Sequence, residues 1–462
     1  MAAIYIFTRD LRLEDNLALI EALKNSSNVL PIFIFTPQQI SNENTYKSEN
    51  CVQFMIECLD ELDSTLRKIG SRLFYFYGDT IDIVKKIIKD SDKYDFNSIY
   101  ISKDYTFFAK KRESDLEKFC KKNELQFNSI ENHMLTGVDV VKKDNGEFYR
   151  KFTPYYRAAQ RFKVNTPVKN TKKNYVSKSY KFSFEYTKNI HNFYEENNNI
   201  LVRGGRMNAL KILKKIKDFK DYNLSREIPS LRGTTYLSAY LKFNVVSVRE
   251  VYKSFTENLQ NVNHLITQLY WRDFYMQIMY HLNPIKSNRQ KYLKWNNNIS
   301  WIKKWKEGKT GIPIIDAGMR QMNETGWMHN RCRMIVSNFF IKVMGCDWTI
   351  GEKYFAMSLV DYDFANNNGG WNWSCGSQKL SGFDFSLDSQ PYFRLFNPWR
   401  QQEKYDPECE YIKKWIPELK DVPVKDILNW NEKYNDYGNI NYPKPMIDDI
   451  QKEFKKTLKL NK

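Results

Sequence analysis

The stretch RQMNETGWMHNRCRMIVSNFFIKVMGCDWTIGEKYFAMSLVDYDFANNNGGWNW, Arg320 to Trp373, holds three arginines, three aspartates, four tryptophans, three consecutive asparagines and a Gly-Gly pair. Most of it reads as two or three helices. Met328, Cys332, Ile335, Phe339 and Val343 recur at three- and four-residue steps, an apolar stripe on one helix face. Arg331 and Arg333 fall in that same helix. A guanidinium keeps its charge, so burying one calls for an anion. Asp361 and Asp363 are the candidates. An internal salt bridge explains one such pair, but not the asparagines and indoles gathered beside it.

Upstream, the first third alternates short apolar runs with amphipathic stretches. Ala3–Thr8, Val29–Phe35, Leu73–Tyr77, Ser98–Ser102 and Leu125–Ile130 read as strands, with helices such as Asn50–Ile69 and Phe108–Lys121 between them. That alternation predicts a parallel, doubly wound α/β sheet over residues 1–130. No GxGxxG follows the first strand, so the dinucleotide fingerprint is absent. Over 131–205 the periodicity fades into Asn, Lys and Glu, which predicts a long linker. Helical periodicity dominates 206–462, so the last unit is expected to be all-α.

The chain of 462 residues carries a net charge of +18, which favours a polyanionic partner such as nucleic acid, although a Lys-rich composition would give the same surplus. Aromatics make up 15%, with 11 tryptophans, suited to stacking on bases or a flat cofactor, or to a large core. The seven cysteines are scattered, without a CxxC pair, which predicts neither a disulfide framework nor a zinc site and places the chain in a reducing, intracellular compartment, cytoplasm or nucleus. No metal is expected. No secretory signal opens the sequence, and no apolar run is long enough to cross a membrane.

Arg232-Gly-Thr-Thr-Tyr-Leu-Ser238 has a glycine that lets backbones approach, then hydroxyls and helix-start amides suited to a diphosphate. By itself such a segment is more often a helix cap. With Arg272 and the Arg320–Trp373 stretch it becomes part of a pattern. The phrases TGWMHNR, DAGMRQ and ANNNGGWNW, with RDLRLEDNLAL near the start and YPKPMID near the end, resemble the photolyase/cryptochrome family, closest to its class I cyclobutane-dimer members. The resemblance spans nearly the whole chain. It implies an α/β antenna-type unit joined by the linker to a helical FAD-binding unit.

The resemblance also implies a site. Tyr222, Thr234, Thr235, Tyr236, Leu237, Ser238, Arg272, Asn330, Arg333, Asp361, Asp363 and Asn367 would surround FAD, with Arg333 and Asp361 paired beside its ring system. Asn367 would face flavin N5, where plant cryptochromes carry an aspartate. A neutral amide favours a repair enzyme working with reduced FAD. Trp371, Trp348 and Trp295, spaced by 23 and 53 residues, match the family's electron-transfer triad. Trp271 and Trp373 match the indoles that clasp a flipped dimer, Met334 the thioether that packs on it, Asn330 and Arg331 its polar contacts, and Arg226 and Arg331 its phosphate contacts.

Several positions depart from the family pattern. Gln268 stands where class I dimer enzymes usually have Glu. The (6-4) photolyases have histidines where this chain has Asn330 and Met334. Phe108-Ala109 replaces the Asn-Glu pair of folate-carrying members, which favours a deazaflavin-type antenna over folate and leaves another pigment, or none, open. The segment Ser374–Gln390 is longer than its class I counterpart, and no long C-terminal signalling tail is expected. The predicted function is light-driven repair of cyclobutane dimers in ultraviolet-damaged DNA, by a monomer. The alternatives are a cryptochrome-type blue-light receptor and a (6-4) photolyase.

Overall fold

Five short runs in the first 130 residues build one parallel sheet: β1 (Ala2–Phe7), β2 (Asn28–Phe35), β3 (Phe74–Tyr77), β4 (Phe96–Ser102) and the more polar edge strand β5 (Gln126–Ile130), in the order β3-β2-β1-β4-β5. The computed structural model describes residues 1–282, 294–376, 388, 390–391 and 393–460. All six residues of β1 are buried, because helices cover both faces of the sheet, and its sequence is accordingly apolar without alternation. The crossovers are α1 (Leu17–Asn25), α2 (Glu49–Lys68), α3 (Thr80–Asp90) and α4 (Phe107–Lys122). Each begins at a side chain that accepts from a first-turn N–H: Asn16, Ser48, Asp79 and Thr106.

Pro31 sits inside β2, where a missing N–H would ordinarily cost a ladder bond. It falls where the neighbour of β2 changes. Val29 bridges to Tyr175 of the returning chain, and pairing with β3 starts at Ile32. The stretch 131–205 is therefore not loose. It runs back along the sheet, where Asp15 N donates to Val168 O at 2.9 Å and Tyr186 N to Tyr75 O at 2.8 Å. It also carries α5 (Phe152–Ala159).

The helical layer is built around α6 (Ser238–Lys242), α7 (Asn263–His281), α8 (Pro313–Thr325), α9 (Asn330–Asn338), α10 (Trp348–Ser358) and α11 (Phe364–Cys375). Helix α7 buries residues all around its circumference, including Arg272 and Asp273, which is why its sequence has no clear apolar stripe. The stripe read from Met328 to Val343 is fully buried, but it is not one α-helix. His329 caps α9, accepting from Arg331 N at 3.1 Å, and Phe339–Val343 widen into a π-helical turn. Among the described residues no helix is long and apolar enough to cross a membrane.

The strand order reverses between β1 and β4, the point where α/β sheets usually meet their ligands. Here that edge faces the helical layer. Arg9, just past β1, lies 3.1 Å from Asp363 at the start of α11 and 3.8 Å from Asp104 just past β4. Arg12 donates to Asn244 O, and Arg249 lies 3.0 Å from Asp15. The RDLRLEDN motif thus does more than cap α1, which Asn16 alone achieves. Its charges lock the two layers together.

Candidate active site

A cavity of about 510 Å³ opens between α6, α7, α9 and α11, within the range typical of cofactor pockets. All twelve residues expected to hold FAD line it, as do Trp371, Arg226, Gln268, Trp271, Met334 and Trp373. Arg331, Trp348 and Trp295 do not.

The chain reaches this wall through a tight crossing. A Cβ on Gly233 would lie 2.6 Å from Ser225 O, so only glycine lets the Thr234–Ser238 segment lie against residues 222–226. Tyr236 then takes a left-handed conformation (φ 55°), and its ring packs edge-on against Trp327 at 4.7 Å. Helix α6 follows.

Four cations and two carboxylates face the cavity. Arg333 Nη2 lies 2.9 Å from Asp361. Asp363 accepts from Asn366 N at 3.0 Å, capping α11, while pairing with Arg9. Burial alone would raise its pKa, but Arg9, Lys242 and Arg272 outweigh burial and hold it well below the usual carboxylate range. Arg272 has a double duty. It lines the cavity while donating to His133 O (2.5 Å) and Leu241 O (3.2 Å), so it also clamps the start of the returning chain. Lys242 was not singled out from the sequence. It lies four residues after Ser238 on α6, a spacing that places both on one helix face.

Asn367 is held from behind. Its Nδ2 donates to Glu352 O (3.0 Å) and Glu352 Oε1 (2.8 Å), leaving Oδ1 for the cavity. Glu352, on α10, is 2% exposed, and burial pushes its pKa up to about 7, partly offset by hydrogen bonds with Asn367 and Tyr46. Because the folded protein keeps this proton while the unfolded chain loses it near its ordinary value, stability is lost as pH rises from about 4.5 to 7. Glu352→Gln should remove that loss. Its stability relative to the native protein should grow by up to about 3 kcal/mol between pH 5 and pH 8, read from melting curves at both pH values.

At the mouth, Trp271 and Trp373 are half-buried. One face of Trp271 stacks on Phe152 of α5, with centroids 3.7 Å apart and planes 6° off parallel. Phe152 N donates to Asp388 Oδ2 at 2.7 Å, and Gln390 N to Trp373 O at 3.1 Å. The returning chain therefore provides the back wall for one indole, a contact that no periodicity reveals. Asn330 Nδ2 reaches Met334 Sδ at 3.7 Å, and Gln268 Nε2 donates to His264 O at 3.2 Å within its own helix. Of the segment Ser374–Gln390, residues 377–387 and 389 lie outside the described residues.

Arg331 corrects an expectation. Its partner is neither Asp361 nor Asp363 but Glu227, bound through Nε at 2.7 Å and also through Nη2. Arg226 Nε lies 3.1 Å from the other oxygen of the same carboxylate. Of the three tryptophans expected to relay electrons, Trp371 lines the cavity and is buried, Trp348 is buried in the same helical core, and Trp295 is half-buried at that core's margin. Trp371 also meets Trp305, a tryptophan not singled out from the sequence, edge-on at 6.2 Å.

A parallel α/β layer joined to helices around a deep, cation-lined and indole-rimmed cavity defines a protein built to hold a large anionic cofactor with a flat ring. The family described as the DNA photolyase domain matches residues 3–172, and the FAD binding domain of DNA photolyase matches residues 265–461. The deoxyribodipyrimidine photo-lyase of Buchnera aphidicola subsp. Baizongia pistaciae is 33% identical over 98% of this chain and 96% of its own. An archaeal photolyase from Sulfolobus tokodaii, solved with two FAD molecules, is 36% identical, with a TM-score of 0.84 over 100% of this chain and 99% of that one. A Synechocystis cryptochrome, at 23% identity and a TM-score of 0.88 over 99% of each chain, shares the fold. The chain belongs to the photolyase/cryptochrome family.

The residues present suit FAD. Hydroxyls of Thr234, Thr235 and Ser238 stand with Lys242 and Arg272 for a diphosphate, and apolar walls from Met328, Met334 and the indoles suit a flat ring. Gly370 leaves its side of the cavity open, with nothing within 4 Å of where a Cβ would project.

Proposed function

We propose that this protein splits cyclobutane pyrimidine dimers in ultraviolet-damaged DNA, in light, with reduced FAD. The observation that carries the reading is that Trp271, Trp373, Met334, Asn330 and Gln268 share one cavity with every residue expected to hold FAD. A flipped lesion and the cofactor would then be neighbours. When bound, reduced FAD supplies light absorption and one electron that the dimer returns after its ring opens, so no net redox change results.

The remaining work falls to side chains. Trp271, braced by Phe152, and Trp373 offer flat apolar faces that offset the loss of stacking when the lesion leaves the duplex. Asn330 and Gln268 offer amides to the base edges. Arg226 and Arg331 take the flanking phosphates. The Arg333–Asp361 and Arg9–Asp363 pairs hold the wall rigid, and Glu352 fixes Asn367 with its oxygen toward the cavity. Trp371, Trp348 and Trp295 offer oxidisable indoles from the cavity wall to the core's margin, a route for electrons back from solution. We take 1–130 as the antenna-type unit, 131–205 as the linker and 206–462 as the catalytic unit. For the antenna, Phe108 and Ala109 disfavour folate. A flavin-like pigment, deazaflavin or a second FAD as in the Sulfolobus relative, fits better.

The test is a light-dependent repair assay on oligonucleotides carrying either a thymine cyclobutane dimer or a (6-4) product. Restored thymine from the dimer substrate alone, and only in light, is expected. Repair of the (6-4) product would overturn the reading. A blue-light receptor without repair is the second reading, favoured by Gln268, and it predicts no restoration of either substrate with FAD bound. Gln268→Glu should repair the dimer at least as efficiently as the native protein, because a protonatable carboxyl can stabilise the charged dimer better than an amide. A large loss in the Glu variant would show that the amide itself is required.

A further inference from the structure

We propose that Glu227 is an internal phosphate surrogate, which occupies Arg226 and Arg331 until a DNA phosphate displaces it and so restrains binding to undamaged DNA. The inference rests on the reading of the cavity as a site for damaged DNA. Arg331 turns both Nε and Nη2 to one oxygen of Glu227, the Nε contact being 2.7 Å, and Arg226 Nε approaches the other oxygen at 3.1 Å. Two guanidiniums from distant parts of the chain thus share one carboxylate. Arg331 also lies over the Tyr405 ring, 4.3 Å from its centroid.

The triad sits at the cavity rim. Arg226 lines the cavity, and Arg331 follows Asn330, which does too. It is also open to solvent: the Glu227 side chain is 32% exposed, against 23% for Arg226 and 13% for Arg331. The carboxylate can therefore swing into water, while the more covered Arg331 takes the incoming phosphate in its place. A phosphodiester offers arginine the same pair of oxygens as a carboxylate does, in the same fork geometry. Two free arginines would make the rim doubly positive, and Glu227 leaves it singly positive.

Phosphate neutralisation supplies most of the affinity for any DNA, so Glu227 weakens binding to all of it. A lesion that swings into the cavity adds stacking and base-edge contacts that offset the displacement of Glu227. Undamaged DNA has no such compensation. The carboxylate thus lowers the affinity for both alike, and the lesion's added contacts keep a damaged site occupied where undamaged DNA falls away.

The test is anisotropy of labelled duplexes, with and without one thymine dimer, titrated in the dark with FAD-loaded native protein and Glu227→Gln over a salt series. The Gln variant should bind undamaged duplex roughly 3- to 10-fold tighter, with a log affinity–log salt slope steeper by about 0.9, and the damaged duplex should tighten by a similar factor. Glu227→Asp, which keeps the charge, should stay close to native. Flavin absorbance and melting temperature check the fold, with Glu227→Ser as a second neutral variant. Unchanged or weaker binding to both duplexes in the folded neutral variants would overturn the surrogate role alone. Native protein with no preference for the dimer would overturn the repair reading and the surrogate role together.

Discussion

Asp363→Ala should cost about 3–5 kcal/mol of stability and most of the bound FAD, because it leaves Arg9 buried without its nearest anion. Three structural roles are lost at once. The carboxylate pairs with Arg9 across the layers, caps α11 through Asn366 N and forms part of the cavity wall. Asp104 stays near Arg9, but at 3.8 Å it compensates only in part. The effect has a pH signature. A carboxyl held below its ordinary range stabilises the fold at pH values above the unfolded pKa, and that contribution is lost as pH falls through the folded value. Native and Ala proteins should therefore differ most at neutral pH, and the difference should begin to shrink below about pH 4. Melting curves from pH 3 to 8 and the flavin-to-protein absorbance ratio check both statements.

Gly351→Ala should lower stability by about 1–3 kcal/mol and displace Trp371, although alanine is the better helix former by about 1 kcal/mol. An added Cβ would lie 2.1 Å from Trp371 Cη2 and 2.6 Å from Cζ3. The indole is hemmed in by Trp305, Phe340 and Phe355, all buried, so its open direction is the cavity. Overpacking outweighs helix propensity because the ring can yield only into the cavity. The expected result is a lower melting temperature together with reduced flavin content. An alanine variant as stable and as yellow as the native protein would show that α10 can shift to make room.

The sheet was legible because buried parallel strands read as apolar runs with helices between them, and the five runs fall within two residues of the observed strands. The cavity wall was legible through its residue types and their resemblance to a known family. Partner choice was legible only in part. Arg331 and Arg333 stand two apart on α9, and residues so spaced point away from one another, so one aspartate site could not serve both. The partner of Arg331 comes instead from Glu227, beside Arg226 in sequence but far from α9, a pairing that helix periodicity cannot encode. The π-helical turn after α9 and the Phe152–Trp271 stack were equally hidden, since each depends on how distant segments press together. Lys242 could have been found from its four-residue spacing to Ser238.

The charges crossing between the two layers bear on modularity. A gene fragment encoding only residues 206–462 would carry Asp363 and Arg249 without Arg9 and Asp15, and Trp271 without Phe152 behind it. Its cavity would keep its lining and lose the braces that hold that lining still. The helical half is therefore not a portable flavin cassette, and grafting this site onto another protein would mean transplanting the first strand's end and the returning chain along with it.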